Sequence, residues 1–301
     1  MNVLVAGGTG FIGSRLLESL RGDGHAVTLL TRSAAKAERL KTGGIGLLVW
    51  GDHRWEKVLE KTDAVITLAG EGVADGRWSA ARKQRILESR LESTNSLVAA
   101  IEKAKNRPKV LINASAVGFY GPRDGESIDE SASAGKGFLA EVCAAWEREA
   151  LKAQALGLRV VLLRIGVVLG REGGALPRML LPFRLCLGGR LGSGTQWLPW
   201  VHVDDAVGLT KEALTNSALN GPVNVVAPGA VTNAQFTAAL ASALHRPAIA
   251  PVPAFALKLL LGEMSEMMLT GQRAIPLAAE KAGYGFKFPQ IKECLSDILE
   301  K

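Results

Sequence analysis

Three regularly spaced glycines near the start of the chain could bind a phosphate group. The run Gly7-Gly8-Thr9-Gly10-Phe11-Ile12-Gly13 follows an apolar segment and precedes an amphipathic one. In such a strand–loop–helix unit, the first glycine permits a tight turn, the second lets the backbone approach a diphosphate, and the third allows the helix to pack closely on the strand. Free N–H groups at the positive end of the helix would bind the phosphate oxygens. The predicted contacts are Gly7, Thr9, Gly10, Phe11, Ile12 and Gly13, and a plain strand-to-helix turn is the alternative.

The end of the second apolar run indicates which dinucleotide would bind. NAD-binding chains usually place Asp or Glu there to hold the ribose 2′-hydroxyl. This chain has Thr31-Arg32-Ser33 and no acid. A guanidinium at that point can pair with a 2′-phosphate, and each charge-assisted hydrogen bond contributes roughly 1.5–3 kcal/mol. The sequence therefore predicts NADP in preference to NAD, with a solvated surface arginine as the alternative.

The elements that must position these residues follow an alternating pattern. Short apolar runs alternate with longer amphipathic segments through the first two-thirds of the chain, which is typical of βαβ units and a parallel sheet. The predicted strands are 3–6, 26–31, 64–68, 110–114, 159–164, 200–203 and 223–226, and the predicted helices are 11–21, 80–105 and 139–156. We predict an α/β, Rossmann-type doubly wound parallel sheet from residues 1–170 plus 200–228. A smaller, mostly helical C-terminal substrate lobe would comprise residues 171–199 plus 229–301.

Composition and charge exclude several classes of protein. The 301 residues are 48% hydrophobic and 22% charged, an ordinary globular mixture, and no apolar run approaches the roughly 20 residues of a membrane span. The net charge is +7, but no aromatic residues interleave the basic cluster at 77–92, so nucleic acid is not an expected partner. Cys143, Cys186 and Cys294 fit neither a disulfide framework nor a metal site, which favours the cytoplasm.

Further motifs resemble the extended short-chain dehydrogenase/reductase superfamily. They run in order over residues 1–230 and include the glycine fingerprint, residues 63–70, Phe119-Tyr120-Gly121, residues 200–205 and residues 223–225. Residues 188–194, residues 197–202 and the C-terminal segment extend the resemblance to an atypical branch, the epimerase family proteins, which are similar to nucleoside-diphosphate-sugar epimerases. The resemblance implies NADP as cofactor and cofactor contacts at Leu68, Ala69, Gly70 and the backbone of Val167.

The Tyr-x-x-x-Lys pair of that superfamily is missing here. Aligned on Glu147, Leu139 takes the place of the tyrosine and Cys143 the place of the lysine, and a shift by one residue puts Phe138 and Val142 there instead. In the family, the lysine lowers the pKa of the tyrosine, which exchanges a proton with the substrate hydroxyl while hydride moves to or from nicotinamide. The remaining candidates for such work are Ser115, Tyr120, Lys136 and His202. Each of them also has a purely structural interpretation.

A basic helix supplies two further candidates. Arg85 and Arg90 lie close to one face of the predicted helix at 80–105, so both could point at a cofactor phosphate or an anionic substrate. An exposed charged face, which contributes little to stability, is the alternative. Trp197 and Trp200 could stack on a ring or belong to the core.

The sequence leaves two functions open. The first is an NADP(H)-dependent oxidoreductase or sugar-nucleotide epimerase-like enzyme with a small-molecule substrate, nucleotide-linked ones included. The second is a non-catalytic NADP(H)-binding sensor or regulatory protein, which needs no proton relay. Neither hypothesis requires nucleic acid or a membrane, and both are compatible with a homodimer.

Overall fold

The computed structural model describes residues 1–35, 43–123 and 125–300 as a mixed α/β protein. Its strands are β1 (Asn2–Ala6), β2 (Ala26–Thr31), β3 (Gly46–Val49), β4 (Ala64–Thr67), β5 (Val110–Ala116), β6 (Ser127–Ile128), β7 (Arg159–Ile165), β8 (Val167–Leu169), β9 (Trp197–Leu198), β10 (Trp200–His202), β11 (Gly221–Val225), β12 (Val231–Thr232) and β13 (Arg273–Ala274). Its helices are α1 (Phe11–Gly22), α2 (Arg54–Val58), α3 (Ala80–Lys103), α4 (Phe138–Leu151), α5 (Leu176–Arg184), α6 (Val203–Thr215), α7 (Asn233–Leu244), α8 (Ala254–Leu261), α9 (Glu266–Leu269), α10 (Leu277–Lys281) and α11 (Ile291–Glu300).

Seven strands form one parallel sheet in the order β11-β7-β5-β4-β1-β2-β3. The order reverses between β1 and β4, and ligands of doubly wound sheets bind at the carboxyl ends of the strands beside such a reversal. Both the glycine loop after β1 and the segment after β4 lie at this edge. The predicted Rossmann-type fold is therefore confirmed.

The central strands are almost entirely buried because helices cover both faces of the sheet. On one face, Leu16 and Leu20 of α1 and Leu209 of α6 join the sheet side chains in one buried cluster. On the other face, Leu97 of α3 and Ala150 of α4 belong to a second cluster. Every residue of β4 is buried, which explains why its sequence does not alternate between apolar and polar residues.

Two elements differ from the prediction for identifiable reasons. The helix predicted over 139–156 ends at Leu151 and continues as the 3-10 turn Lys152–Leu156, which Gly157 terminates in the left-handed region at φ +87°. Strand β3 was not predicted. It is the edge strand of the sheet and is at most half-buried, so its apolar pattern is weak.

The C-terminal part of the chain forms a third apolar cluster and also returns to the large sheet. Leucines and phenylalanines of α5, α7 and α11 pack together with Trp200. By contrast, Ala279 of α10, Tyr284 and Phe286 pack against the core of the seven-stranded sheet. Asp205 at the start of α6 fixes this return, because its carboxylate accepts hydrogen bonds from the backbone N–H groups of residues 287 and 288.

Two sequence features have simple counterparts in the fold. Within the described ranges, every helix is too short or too polar to cross a membrane. The thiols of Cys143 and Cys294 are buried, whereas that of Cys186 is exposed, and all three cysteines are free.

Candidate functional site

The glycine loop after β1 is built so tightly that two of its glycines cannot carry a side chain. Gly7 has φ +82°, and a Cβ on it would lie 2.6 Å from the carbonyl carbon of Leu68 after β4. A Cβ on Gly13 would lie 2.5 Å from the Gly7 carbonyl oxygen. The loop, the start of α1 and the end of β4 therefore pack backbone against backbone, as the spacing predicted.

Gly10 differs from these two glycines because the protein leaves its surroundings open. It is exposed and precedes α1. Apart from its two chain neighbours, the described residues place one atom within 4 Å of a Cβ built on it, the Gly7 oxygen at 3.5 Å. A side chain there would project into the space in front of the helix, where the first N–H groups of α1 have no intrahelical partner. This open helix N-terminus, at the strand-order reversal, fits a bound diphosphate.

Phe11 ties this loop to the segment that follows β8. Cβ atoms on Gly170 and Gly173 would lie 2.5 and 2.4 Å from its ring, and one on Gly174 would lie 3.0 Å away. These three glycines form a close-fitting cradle around the ring. The sequence alone does not indicate this cradle, because the ring that requires these glycines lies far earlier in the chain.

The residues predicted to select the dinucleotide form a tight turn after β2. The Thr31 hydroxyl oxygen is buried and accepts a hydrogen bond of 3.2 Å from the Ser33 N–H. Arg32 lies between them with an exposed side chain, at the same carboxyl edge as the glycine loop. The turn therefore holds the guanidinium-bearing residue at the end of β2 while its side chain stays accessible to a ligand.

Arg90 is the most distinctive charge at this edge. A Cβ built on Gly70 would lie 3.1 Å from its Cζ, so the guanidinium covers the chain directly after Leu68 and Ala69. Its Nη1 donates to the Ile86 carbonyl oxygen at 2.8 Å, and Cζ lies 5.1 Å from the centre of the Trp146 ring. Burial lowers the pKa of Arg90.

No carboxylate among the described residues lies within ion-pair distance of Arg90. The charge of Glu71 acts to raise the pKa of Arg90, but that carboxylate already pairs with Arg82 and lies 3.6 Å from Nε of Arg85. The two predicted arginines therefore lie in different environments. Arg85 is half-exposed and paired, whereas Arg90 is largely buried and carries an unbalanced charge that an anionic ligand would neutralise.

A buried polar network surrounds Ser115 and Tyr120, the two residues predicted to take part in proton transfer. The Ser115 hydroxyl donates to Oε1 of Glu147 at 2.6 Å. Arg164 donates to both oxygens of Glu147 at 2.9 Å and to the Tyr120 hydroxyl oxygen at 3.0 Å. Tyr120 in turn donates to Oδ1 of Asn224 at 2.7 Å. The two candidates Ser115 and Tyr120 are therefore partners in one network that joins β5, α4, β7 and β11.

The hydroxyl groups of Ser115 and Tyr120 are both hydrogen-bonded to other side chains inside the protein. Tyr120 has no exposed surface, and burial raises the pKa of its phenol above the ordinary value. Leu139 packs against Gly118, where a Cβ would lie 3.2 Å from the leucine Cβ. Burial raises the pKa of the Cys143 thiol to about 11, so the thiol stays protonated near neutral pH. Leu139 and the Cys143 thiol therefore do not supply a tyrosine–lysine relay, and a catalytic role for Ser115 or Tyr120 stays a prediction.

The other two acid–base candidates lie in different settings. Lys136 is exposed before α4. His202 is buried and caps α6, because its Nδ1 accepts a hydrogen bond of 3.1 Å from the Asp204 N–H. Burial lowers the pKa of this imidazole, whose Nε2 lies 3.6 Å from a carboxylate oxygen of Asp297. These contacts give His202 a structural role as the cap of α6.

Three further candidates, Val167, Trp197 and Trp200, are held by short strand pairs. The Val167 N–H donates to the Pro199 carbonyl oxygen at 2.7 Å, which engages the backbone donor of that residue. Trp200 is buried in the C-terminal cluster and donates to the Gly229 carbonyl oxygen at 2.9 Å. Trp197 is half-buried, with the Arg273 guanidinium carbon 4.7 Å from the centre of its ring.

Comparison with protein families gives this geometry a context. Residues 3–227 match the model of the NAD dependent epimerase/dehydratase family. The chain belongs to this family. Residues 252–298 match a second model, which is described as a domain of unknown function (DUF1731). The first match spans the whole seven-stranded sheet, and the second spans α8 to α11.

Similar proteins cover the chain from end to end. It is 44% identical over 304 residues to an Arabidopsis thaliana protein called "Epimerase family protein SDR39U1 homolog, chloroplastic", which covers 100% of this chain and 87% of the relative. It is 41% identical over 300 residues to "Epimerase family protein YfhF" of Bacillus subtilis, with 99% and 98% covered. The crystal structure of human epimerase family protein SDR39U1 with NADPH superposes with a TM-score of 0.88 at 37% identity and covers 100% of both chains.

Proposed function

We propose that the protein binds NADPH at the carboxyl edge of its sheet and acts as an NADP(H)-dependent oxidoreductase on a small-molecule substrate, nucleotide-linked substrates included. The observation that supports this proposal is the glycine loop. Backbone atoms pack against Gly7 and Gly13 so closely that neither could carry a side chain, whereas the space beside Gly10, in front of α1, is free for a ligand. The human relative crystallised with NADPH supports the choice of cofactor. When bound, NADPH would supply a hydride.

Two arginines would hold different parts of the dinucleotide. Arg32 follows β2, whereas Arg90 lies over the chain that follows β4, and β1 separates these strands. Neighbouring strands are about 4.8 Å apart, so the two positions are roughly 10 Å apart across the sheet. We assign the 2′-phosphate to Arg32 and the diphosphate or the ribose beyond it to Arg90, with the open start of α1 between them.

Replacing Arg32 by alanine is expected to weaken NADPH binding by roughly 10–100-fold, because charge-assisted bonds to the 2′-phosphate are lost. NADH lacks that phosphate, so its affinity should change by less than about 2-fold. Fluorescence titration with both dinucleotides measures the two affinities. Arg148→Ala, an exposed arginine in the last turn of α4, is the control and should alter neither. Equal losses for NADPH and NADH would show that Arg32 does not recognise the phosphate.

A second function is favoured by the buried network. Ser115 and Tyr120 are engaged by Glu147, Arg164 and Asn224, and Leu139 cannot exchange a proton. A protein that binds NADPH to sense its concentration needs no such exchange. An enzyme with this site would have to take its proton from the substrate or from water.

Hydride transfer distinguishes the two functions. We expect NADPH to be oxidised when excess protein is mixed with carbonyl compounds, nucleoside-diphosphate keto sugars included, because the carbonyl carbon accepts the hydride and the oxygen takes up a proton. The loss of near-ultraviolet absorbance of the reduced nicotinamide follows the reaction. The Gly13→Ala variant, in which the loop is disrupted, is the control for oxidation that does not use this site. If the protein binds NADPH tightly but oxidises none of it with any compound, the sensor function is supported instead.

A further inference from the structure

A cavity in the C-terminal part of the protein has the size of a small-molecule site. Its volume is about 760 Å³, and ligand pockets in proteins commonly measure about 300–1,000 Å³. It lies between α8, the turn 262–265, α9 and residues 192–193. The side chains that line it and carry polar groups are Ser193, Lys258, Glu263, Ser265, Glu266 and Thr270. None of these six belongs to the glycine loop or to the cofactor contacts predicted from the sequence.

One glutamine fixes two walls of this cavity relative to each other. The side-chain amide of Gln196 donates to the Leu191 carbonyl oxygen at 3.0 Å and to the Met268 carbonyl oxygen at 2.8 Å. These two residues directly precede the lining residues 192–193 and 269–270. Because both acceptors are carbonyls, the amide nitrogen must face them. The Gln196 Oε1 is buried and accepts no hydrogen bond within the described ranges, so a donor between these walls would be stabilising.

Gly192 keeps space open between the same two walls. It lies at φ +56°, a conformation that favours glycine. A Cβ on it would lie 3.0 Å from Cδ2 of Leu269 and 3.7 Å from the Ala254 Cβ, and all three residues line the cavity. A larger residue at this position would take up part of the cavity, so the left-handed glycine contributes to its volume.

Lys83 connects the cavity with the carboxyl edge of the large sheet. Its Nζ lies 2.5 Å from Oε1 of Glu263, a lining carboxylate, and 5.1 Å from the centre of the Phe138 ring. Phe138 begins α4 and, with Leu139, occupies the segment where the short-chain dehydrogenase/reductase superfamily has its tyrosine. The cavity therefore lies beside the segment that exchanges a proton with substrate in that superfamily, and our inference about its ligand rests on the proposed function.

Two cationic side chains at the cavity are available to an anionic group. Lys258 of α8 lines the cavity, and Arg77 donates to the carbonyl oxygen of the next residue, Leu259, at 3.4 Å. The Arg77 Nη2 also lies 3.4 Å from a Cβ built on Gly262, another lining residue. In the part of the chain that the structure describes, neither cation has a carboxylate within ion-pair distance. A single anionic group of a ligand would pair with them.

Other lining groups are left as hydrogen-bond acceptors. The Ser265 hydroxyl donates to the Gly262 carbonyl oxygen at 2.6 Å, and the Thr270 hydroxyl donates to the Glu266 carbonyl oxygen at 2.8 Å. These bonds use the hydroxyl hydrogens and leave the oxygens to accept. The Glu266 carboxylate pairs with no cation of residues 1–35, 43–123 and 125–300. This set of acceptors suits the hydroxyl groups and the amine of a ligand.

We infer that the cavity binds a small hydroxylated molecule that carries one anionic group and an amine, as an amino-sugar monophosphate does. Lys258 and Arg77 pair with the anionic group, and Glu266 pairs with the ammonium group. A nucleoside diphosphate suits the cavity less well, because its additional negative charge would meet the Glu266 carboxylate while Glu263 already neutralises Lys83. The inference thus narrows the substrate class of the proposed oxidoreductase.

Calorimetric titration with three related probes tests this inference, with and without NADPH. Glucosamine 6-phosphate should bind, whereas glucose 6-phosphate, which lacks the amine, and glucosamine, which lacks the phosphate, should each bind at least about 5-fold more weakly. Lys258→Met should weaken the binding of the two phosphates at least about 5-fold and change that of glucosamine by less than about 2-fold. Glu266→Gln should weaken the binding of the two amines and spare glucose 6-phosphate.

Lys292→Met, which alters an exposed lysine of α11 outside the cavity, is the matched control and should change none of these affinities. Thermal unfolding confirms that each variant is folded. The inference is overturned if glucosamine 6-phosphate does not bind to a protein that binds NADPH, if the three probes bind equally, or if UDP-glucose displaces glucosamine 6-phosphate and binds more tightly. Binding of the probes as expected by a protein that does not bind NADPH would instead contradict the proposed function and leave the cavity's ligand class supported.

Discussion

Replacing Arg164 by methionine is expected to lower the free energy of unfolding by about 3–5 kcal/mol. Arg164 and Glu147 are each 4% exposed, and two hydrogen bonds of 2.9 Å join them. The variant would leave the Glu147 carboxylate buried without its counter-charge, and water cannot reach it. It would also remove the donor to the Tyr120 hydroxyl and the guanidinium that lies 3.6 Å from the centre of the Phe119 ring.

Urea unfolding measures this cost, together with two comparison variants. The double variant Glu147→Leu/Arg164→Met should recover most of the loss, because no unpaired charge remains. Lys152→Met breaks the exposed pair with Glu149 at 2.7 Å and should cost less than about 1 kcal/mol. A loss for Arg164→Met as small as that for Lys152→Met would mean that the buried pair does not matter for stability.

The buried pair also explains how the C-terminal chain is held against the sheet. Asn224, which accepts from Tyr120, donates to the Ile275 carbonyl oxygen at 2.9 Å. The Glu130 carboxylate accepts from the backbone N–H groups of Asn224 and Ala278, at 2.9 and 3.1 Å. Damage to the network should therefore loosen the attachment of residues 275–278 as well as the strands themselves.

The elements of the large sheet were predictable because their signals are local. The strand predicted over 26–31 has the same bounds as β2. The helix predicted over 80–105 begins where α3 begins and extends only two residues beyond its last residue, Lys103. Short strands such as β6 and β13 were not predictable. They are two residues long and pair with each other across more than a hundred residues of chain, so their own sequences contain no strand pattern.

The same difference between local and long-range contacts decides which parts of the candidate site could be predicted. The glycine loop could be predicted because the turn, the open Gly10 and the start of α1 are contiguous in sequence. The Glu147–Arg164 pair could not, since its two charges come from α4 and β7 and meet only in the folded protein. A charge within the apolar run of β7 does indicate a buried partner, but it does not say which one. Likewise, Gly170 and Gly173 make sense only once the Phe11 ring lies against them.

The second large effect is expected for Gly13→Ala, which should weaken NADPH binding by more than about 100-fold. The new Cβ would lie 2.5 Å from the Gly7 carbonyl oxygen and 2.6 Å from the Gly8 Cα. These are backbone atoms that cannot rotate away, so α1 must move relative to the loop. Such a shift would displace the N–H groups that our proposal assigns to the diphosphate, and a displacement of about 1 Å is enough to lose well-aligned donors.

Gly22→Ala is the matched control for this experiment. Gly22 ends the same helix, and apart from its chain neighbours and its own helix backbone no atom of the described residues lies within 4 Å of a Cβ built on it. Its substitution should leave NADPH affinity unchanged and should stabilise the protein by up to about 1 kcal/mol, because alanine favours the helix. Calorimetric titration and thermal unfolding of both variants separate binding from folding. If Gly13→Ala bound NADPH as tightly as Gly22→Ala while remaining folded, the diphosphate would have to bind elsewhere, since the loop as observed cannot accommodate a Cβ on Gly13 unless backbone atoms move.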